Sequence, residues 1–85
     1  MTITLVYLAR LREAFGVPGE QVLLPAGIAT VEALRSWLMR RGAVWAGELA
    51  VGRAVRIAVN HDLAAPDTAL RDGDEVAFFP PVTGG

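Results

Sequence analysis

The chain has 85 residues, 53% of them hydrophobic, with eight basic and nine acidic side chains for a formal net charge of −1. That length suits a single domain burying roughly 60 to 65% of its unfolded surface, and the apolar fraction excludes a disordered chain. No cluster of basic residues suggests nucleic acid, no apolar run approaches the ~18 residues that span a bilayer, and the first residues lack a leader pattern, so a cytoplasmic protein is expected, with no nucleic acid and no membrane as partner.

Residues 2–8 alternate as a strand, with Ile3, Leu5 and Tyr7 on one face and Thr2, Thr4, Val6 and Leu8 on the other, the threonine face outward. Arg10 to Phe15 can form a short helix with Leu11 and Phe15 spaced i,i+4, closed by Gly16 and followed by a Pro18-Gly19 turn. A second strand over residues 20–24 ends at Pro25. The clearest helix starts after Thr30, a good N-cap, with Glu32 in the first turn, where the helix dipole favours it, and Gly42 behind Arg40 and Arg41 as a stop signal. On a helical wheel Val31, Leu34 and Leu38 form its buried stripe with Trp37 beside them, and Glu32, Ser36 and Arg40 face water. Residues 43–54, interrupted by Gly47 and Gly52, read as loop with at most a helical turn. A strand over residues 53–60 turns Ile57 and Val59 inward, Asn60-His61-Asp62 reverses the chain, and a short extended piece follows at residues 63–65. Asp72-Gly73 marks a tight turn, and Glu75 to Phe79 is the last strand, with Val76 and Phe78 inward and Glu75, Ala77 and Phe79 outward. Strands before and after one good helix give an α+β arrangement in which a mixed sheet packs one face on that helix.

Function is most legible after Phe79. Pro80 and Pro81 lack an N–H and bias their predecessors toward extended backbone, so they end the ladder and lead the chain away from the sheet. Residues 1–79 are thus expected to be the folded domain and residues 80–85 a flexible tail. Gly84 and Gly85 carry no Cβ, so their backbone can thread a narrow channel and approach a reactant closely. A terminal α-carboxyl, with a reference pKa of about 3.3 to 3.7, is an anion at neutral pH and a poor electrophile until activated. Cysteine is absent, which excludes disulfides, thiolate metal sites and side-chain thiol chemistry, so any sulfur carried must sit on the main chain. Lysine is absent too, so the chain could donate to an isopeptide bond but hardly accept one.

Other signals have plain explanations. Asp72, Asp74 and Glu75 read as solvated carboxylates around a turn, with a salt bridge to a partner as a minor option. His61 has no second ligand to complete a metal site and reads as a turn residue. Trp37 and Trp45 suit packing in or beside the core, and Arg10 and Arg12 suit a surface helix. No Ser-His-Asp set, phosphate loop or catalytic carboxylate pair has workable spacing, so the chain is not a self-sufficient enzyme.

The closing stretch Asp72-Gly73-Asp74-Glu75-Val76-Ala77-Phe78-Phe79-Pro80-Pro81-Val82-Thr83-Gly84-Gly85 resembles the C-terminus of the sulfur-carrying small subunits of molybdopterin synthase, the MoaD family of ubiquitin-like proteins. Weaker similarity covers nearly the whole chain, at residues 6–13, 30–35 and 58–60. The two glycines alone are shared with carriers for thiamin and for transfer RNA thiolation and with protein modifiers; the Pro-Pro-Val-Thr stretch narrows the choice. The resemblance implies the β-grasp fold, with the first and last strands adjacent in the middle of the sheet. Leu8 and Phe79 would then share the open sheet face, joined by Leu63 from the edge, as an apolar patch beside the tail, and such patches tend to be interfaces. It also implies that an ATP-dependent, E1-like activating enzyme adenylates Gly85, that a sulfur donor converts it to a thiocarboxylate, and that the tail delivers this sulfur to a pyranopterin inside the large synthase subunit. In that scheme Gly85 carries the transferred atom, Gly84 gives clearance, Pro80, Pro81, Val82 and Thr83 give reach and contacts, and Leu8, Leu63 and Phe79 anchor the body. No metal and no stably bound cofactor is implied. Position 8 holds leucine where many relatives are expected to hold an aromatic residue. Three other functions fit a Gly-Gly end: a sulfur carrier for a different pathway, a modifier that forms isopeptide bonds, and an interaction module with a passive tail.

Overall fold

In the first strand, β1 (Thr2–Tyr7), Ile3, Leu5 and Tyr7 point to one face and are fully buried. The computed structural model describes residues 1–81. After β1 come α1 (Arg10–Phe15), β2 (Gly19–Leu23), α2 (Val31–Met39), α3 (Ala43–Leu49), β3 (Arg56–Val59), β4 (Asp62–Leu63) and β5 (Glu75–Phe79). The strands form one mixed sheet in the order β2-β1-β5-β3-β4. Its centre is the parallel pair β1 and β5, with Leu5 opposite Val76 and Tyr7 opposite Phe78; the remaining pairs are antiparallel. This is the β-grasp arrangement.

One face of the sheet carries the core. Ile3, Leu5, Tyr7, Val22, Val76 and Phe78 meet Leu11 of α1, Val31, Leu34 and Leu38 of α2, and Leu49 of α3. Burying a side chain of this size stabilises the fold by about 1.5–3 kcal/mol. A one-residue slip of β5 would turn Val76 and Phe78 to the other face. The core therefore fixes the register of β5, and with it the outward direction of Ala77 and Phe79.

Local signals set most element ends. The Thr30 hydroxyl accepts from the Ala33 N–H and caps α2, and Gly16, at φ 78°, closes α1 in the left-handed conformation. Asn60 and His61 both take positive φ, 49° and 74°, as a two-residue primed hairpin loop requires, and join β3 to β4. The Asn60 amide also donates to Asp74 and its carbonyl accepts from the Glu75 N–H, tying the hairpin to β5. At the Asp72-Gly73 turn Gly73 has φ 87°, and the Asp72 carboxylate accepts from the Thr2 N–H. Gly19 is needed for clearance, since a Cβ there would collide with the Leu5 carbonyl oxygen.

Three expectations need correction. The segment expected as loop contains α3, seven residues long, which has no side-chain cap and holds because Leu49 is buried and Trp45 stacks on Phe15. Gly42 does not close α2. The helix ends at Met39 in tighter bonds, from the Arg40 N–H to the Trp37 carbonyl and from the Arg41 N–H to the Leu38 carbonyl, and Gly42 instead offers its carbonyl to the Ala46 N–H at the start of α3. The third and fourth strands are shorter than expected, because ladder pairing with β5 starts only at Arg56 and β4 holds two residues. No helix among the described residues is long and apolar enough to cross a membrane.

Candidate functional site: the sheet face at the base of the tail

The helices cover one face of the sheet and leave the other open. Parallel pairing sets Leu8 beside Phe79, with the Leu8 N–H donating to the Phe78 carbonyl at 3.0 Å, and Arg56 lies opposite Phe79 on β3. The next row of the same face is Val6, Ala77, Ala58 and Leu63, read directly from the pairings. Leu8 is 43% exposed and Leu63 69%, and Phe79, Pro80 and Pro81 are half-buried. The structure thus brings Leu8 and Phe79 together on adjacent strands. Leu63 shares their face two strands further out, roughly 10 Å from β5 at the usual strand spacing. Val82, Thr83, Gly84 and Gly85 lie outside the described residues. Val6, Ala77 and Arg56 belong to the same surface although they were not singled out in the sequence; the outward half of each strand's alternation was the signal that contained them.

Two local devices hold the end of β1 in place. Ala9 sits at φ 52° and ψ −129°, and the Leu11 N–H closes onto the Leu8 carbonyl at 3.1 Å. This is the first central position of a II′ turn, a conformation that favours glycine, and it swings the chain from β1 straight into α1. Beneath it lies a polar and aromatic cluster that sequence periodicity could not show. The Tyr7 hydroxyl donates to Glu20 Oε2 at 2.7 Å, and the Arg41 guanidinium makes a bidentate pair with the same carboxylate at 2.6 and 3.0 Å. The guanidinium carbon lies 4.6 Å from the Trp45 ring centroid, and Trp45 stacks on Phe15 at 3.8 Å. Donation from Arg41, reinforced by Tyr7, holds the Glu20 carboxyl below its ordinary pKa despite partial burial. Burial first, then the hydrogen bond to Glu20, pushes the Tyr7 hydroxyl far upward, so it stays a donor. The bond to Glu20 holds the Arg41 pKa above its usual value.

This site is a partly apolar open face beside Pro80 and Pro81, the last described residues. Asp72 and Asp74 are engaged with the Thr2 and Arg71 backbone N–H groups, and His61 lies 3.7 Å from Glu75 on the exposed hairpin. Among the described residues no three acidic or histidine side chains gather as a metal site.

The ThiS family model matches residues 5–85. The chain belongs to the ThiS family. It is 45% identical over 83 residues to the molybdopterin synthase sulfur carrier subunit of Escherichia coli, and 40% identical over 83 residues to that of Haemophilus influenzae, in each case across 98% of this chain and 99% of the relative. Among solved structures, the putative molybdopterin converting factor subunit 1 of Pyrococcus furiosus is similar with a TM-score of 0.80 and 32% identity, over 96% of this chain and 99% of that one. A Helicobacter pylori structure, a complex of subunits 1 and 2 of molybdopterin-converting factor, shares the fold with a TM-score of 0.69 and 24% identity over the full length of both chains. The family match runs through the last residue, so it includes both tail glycines.

Proposed function

We propose that this chain is the sulfur carrier subunit of a molybdopterin synthase, working in the cytoplasm with Gly85 as the carrying residue. The observation that carries this reading is 40 to 45% identity to proteins of that name across nearly the whole chain. An exposed apolar face at the root of the tail supports it, because a carrier must be gripped by its body while its end enters another protein's site.

The chemistry follows from what the chain lacks. With no cysteine, sulfur has to sit on the main chain, at the α-carboxyl of Gly85. That carboxylate is unreactive toward nucleophiles until an activating enzyme spends ATP to join it to AMP, releasing pyrophosphate. The mixed anhydride has a good leaving group: the terminal sulfur of a persulfide donor displaces AMP to give an acyl disulfide. A second thiol then attacks the donor-side sulfur, forming a disulfide with the donor and releasing the thiocarboxylate. Its sulfur is softer and less tightly solvated than oxygen, hence the better nucleophile toward a pyranopterin. The large synthase subunit supplies the catalytic acid and base at the pyranopterin, and the lysine that this chain lacks. Pro80, Pro81, Val82 and Thr83 provide reach, and stiff prolines limit the entropy lost when the tail inserts. Leu8, Phe79 and Leu63 grip the partner.

The test is mass spectrometry of the chain after incubation with ATP, the activating enzyme and a sulfur source. One oxygen should be exchanged for sulfur at Gly85, and both deletion of Gly85 and extension beyond it should abolish transfer with the fold intact. Unchanged mass, or full activity in either variant, refutes the reading. Finding Gly85 linked to lysines of other proteins would instead indicate a modifier.

A further inference from the structure

Between α2 and the β3–β4 edge lies a groove of about 320 Å3. Val31, Ile57, Leu63, Ala64 and Pro66 make its lining aliphatic on the side of the sheet and helix. The opposite lip is the loop between α3 and β3, where Val51 is 85% exposed. Arg35, Arg53, Arg56 and Glu32 supply its charge, and they are not equivalent. Arg35 donates to both oxygens of Glu32, at 2.9 and 3.3 Å, and to the Leu49 carbonyl, so this arginine and the one acid lining the groove satisfy each other. Arg53 reaches Glu48 only at 3.4 Å, and Glu48 already pairs with Arg10 at 3.1 Å. Arg56 has no ion-pair partner among the described residues. The groove therefore presents one cation without an ion-pair partner among the described residues, Arg56, and one held only by a shared carboxylate, Arg53, above an aliphatic floor.

An occupant must match both features. A phosphate or nucleotide would satisfy the arginines and leave the aliphatic floor against water, whereas a purely apolar segment would draw the arginines from water without a counter-charge, which is unfavourable. Leu63 lines the groove and also belongs to the open sheet face beside the tail, so a protein seated on that face has this groove within reach at the sheet edge. We propose that the groove receives an extended acidic segment of the protein that covers the tail base, with an aliphatic side chain between Val31, Ile57 and Leu63 and flanking carboxylates on Arg53 and Arg56. The name of that partner rests on the synthase reading; the chemistry of the groove does not.

Two measurements test this. Isotope-labelled chain is titrated by NMR with the capped peptide Asp-Leu-Glu-Ile-Asp and, separately, with Lys-Leu-Lys-Ile-Lys. The acidic peptide alone should shift Val51, Arg56 and Leu63, and the Arg53→Ala, Arg56→Ala double variant should bind it about tenfold or more weakly. Equal responses to the two peptides, or shifts that avoid the groove, overturn the proposal. The second measurement is association with the purified large synthase subunit, where Arg53→Glu with Arg56→Glu should slow binding about tenfold or more at low salt, and less at high salt. A large subunit that binds native and charge-reversed chains at the same rate overturns the proposal and leaves the synthase reading standing. One that binds neither removes the synthase reading, and the peptide titration then decides the groove by itself.

Discussion

Replacing Glu20 by alanine tests the cluster that holds the end of β1. The substitution strands the Tyr7 hydroxyl, on a residue with no solvent exposure, without its acceptor, and an unsatisfied buried group of this kind costs about 1–3 kcal/mol. Arg41 loses its bidentate partner too, but its side chain is 30% exposed and can return to water, so this part adds at most about 1 kcal/mol. The expected loss is about 1–4 kcal/mol, which for a domain of this size lowers Tm by about 4–32 °C. Tyr7→Phe leaves Glu20 paired with Arg41 and should cost only about 0.5–1.5 kcal/mol. The double variant should fall short of the sum, because removing the hydroxyl relieves what Glu20→Ala strands. Urea unfolding with an unchanged m-value reads all three. The pH dependence has a definite sign. The folded-state pKa of Glu20 lies below its ordinary 4.5, so its contribution is fully present above that value and is lost as pH falls through the lower folded one. Glu20→Gln, which can still accept from Tyr7 but cannot titrate there, should flatten the acid limb of the stability profile. A Glu20→Ala protein within about 0.5 kcal/mol of the parent, or an acid limb unchanged in Glu20→Gln, would refute the reasoning.

Two further substitutions probe the tail base. Ala9→Gly relieves a residue held at φ 52° and ψ −129° and should stabilise the domain by about 1 kcal/mol, seen as a raised urea midpoint; a lowered midpoint would show that Ala9 is not strained there. Leu8→Asp alters a side chain that is 43% exposed on the open face, so stability should stay within about 0.5 kcal/mol while co-elution with the large synthase subunit on gel filtration is lost. Retained co-elution would remove Leu8 from the docking surface.

The chain's own order of residues determined much of this protein. Alternation in β1 and β5 assigned Tyr7 and Phe78 to the core and Phe79 to the outside, Thr30 marked the start of α2, and Asn60-His61 and Asp72-Gly73 marked the turns, because a cap, a positive φ or a buried face depends on residues next to one another. The chemistry expected of Pro80 to Gly85 rests on the residues themselves in the same way, and residues 82–85 lie outside the described residues. Tertiary structure decided what neighbours in sequence cannot. Helix α3 carries Gly47 and has no capping side chain, and it exists because Trp45 finds Phe15 and Leu49 finds the core. The parallel pairing of β1 with β5, some 70 residues apart in the chain, makes Leu8 and Phe79 neighbours and leads the chain out of the sheet beside them. Glu20 became the shared acceptor of Tyr7 and Arg41, and Arg56 came to stand opposite Phe79, only once strands distant in sequence had closed into one sheet; hydrogen bonds and ion pairs between distant residues leave no periodic trace in the chain that makes them.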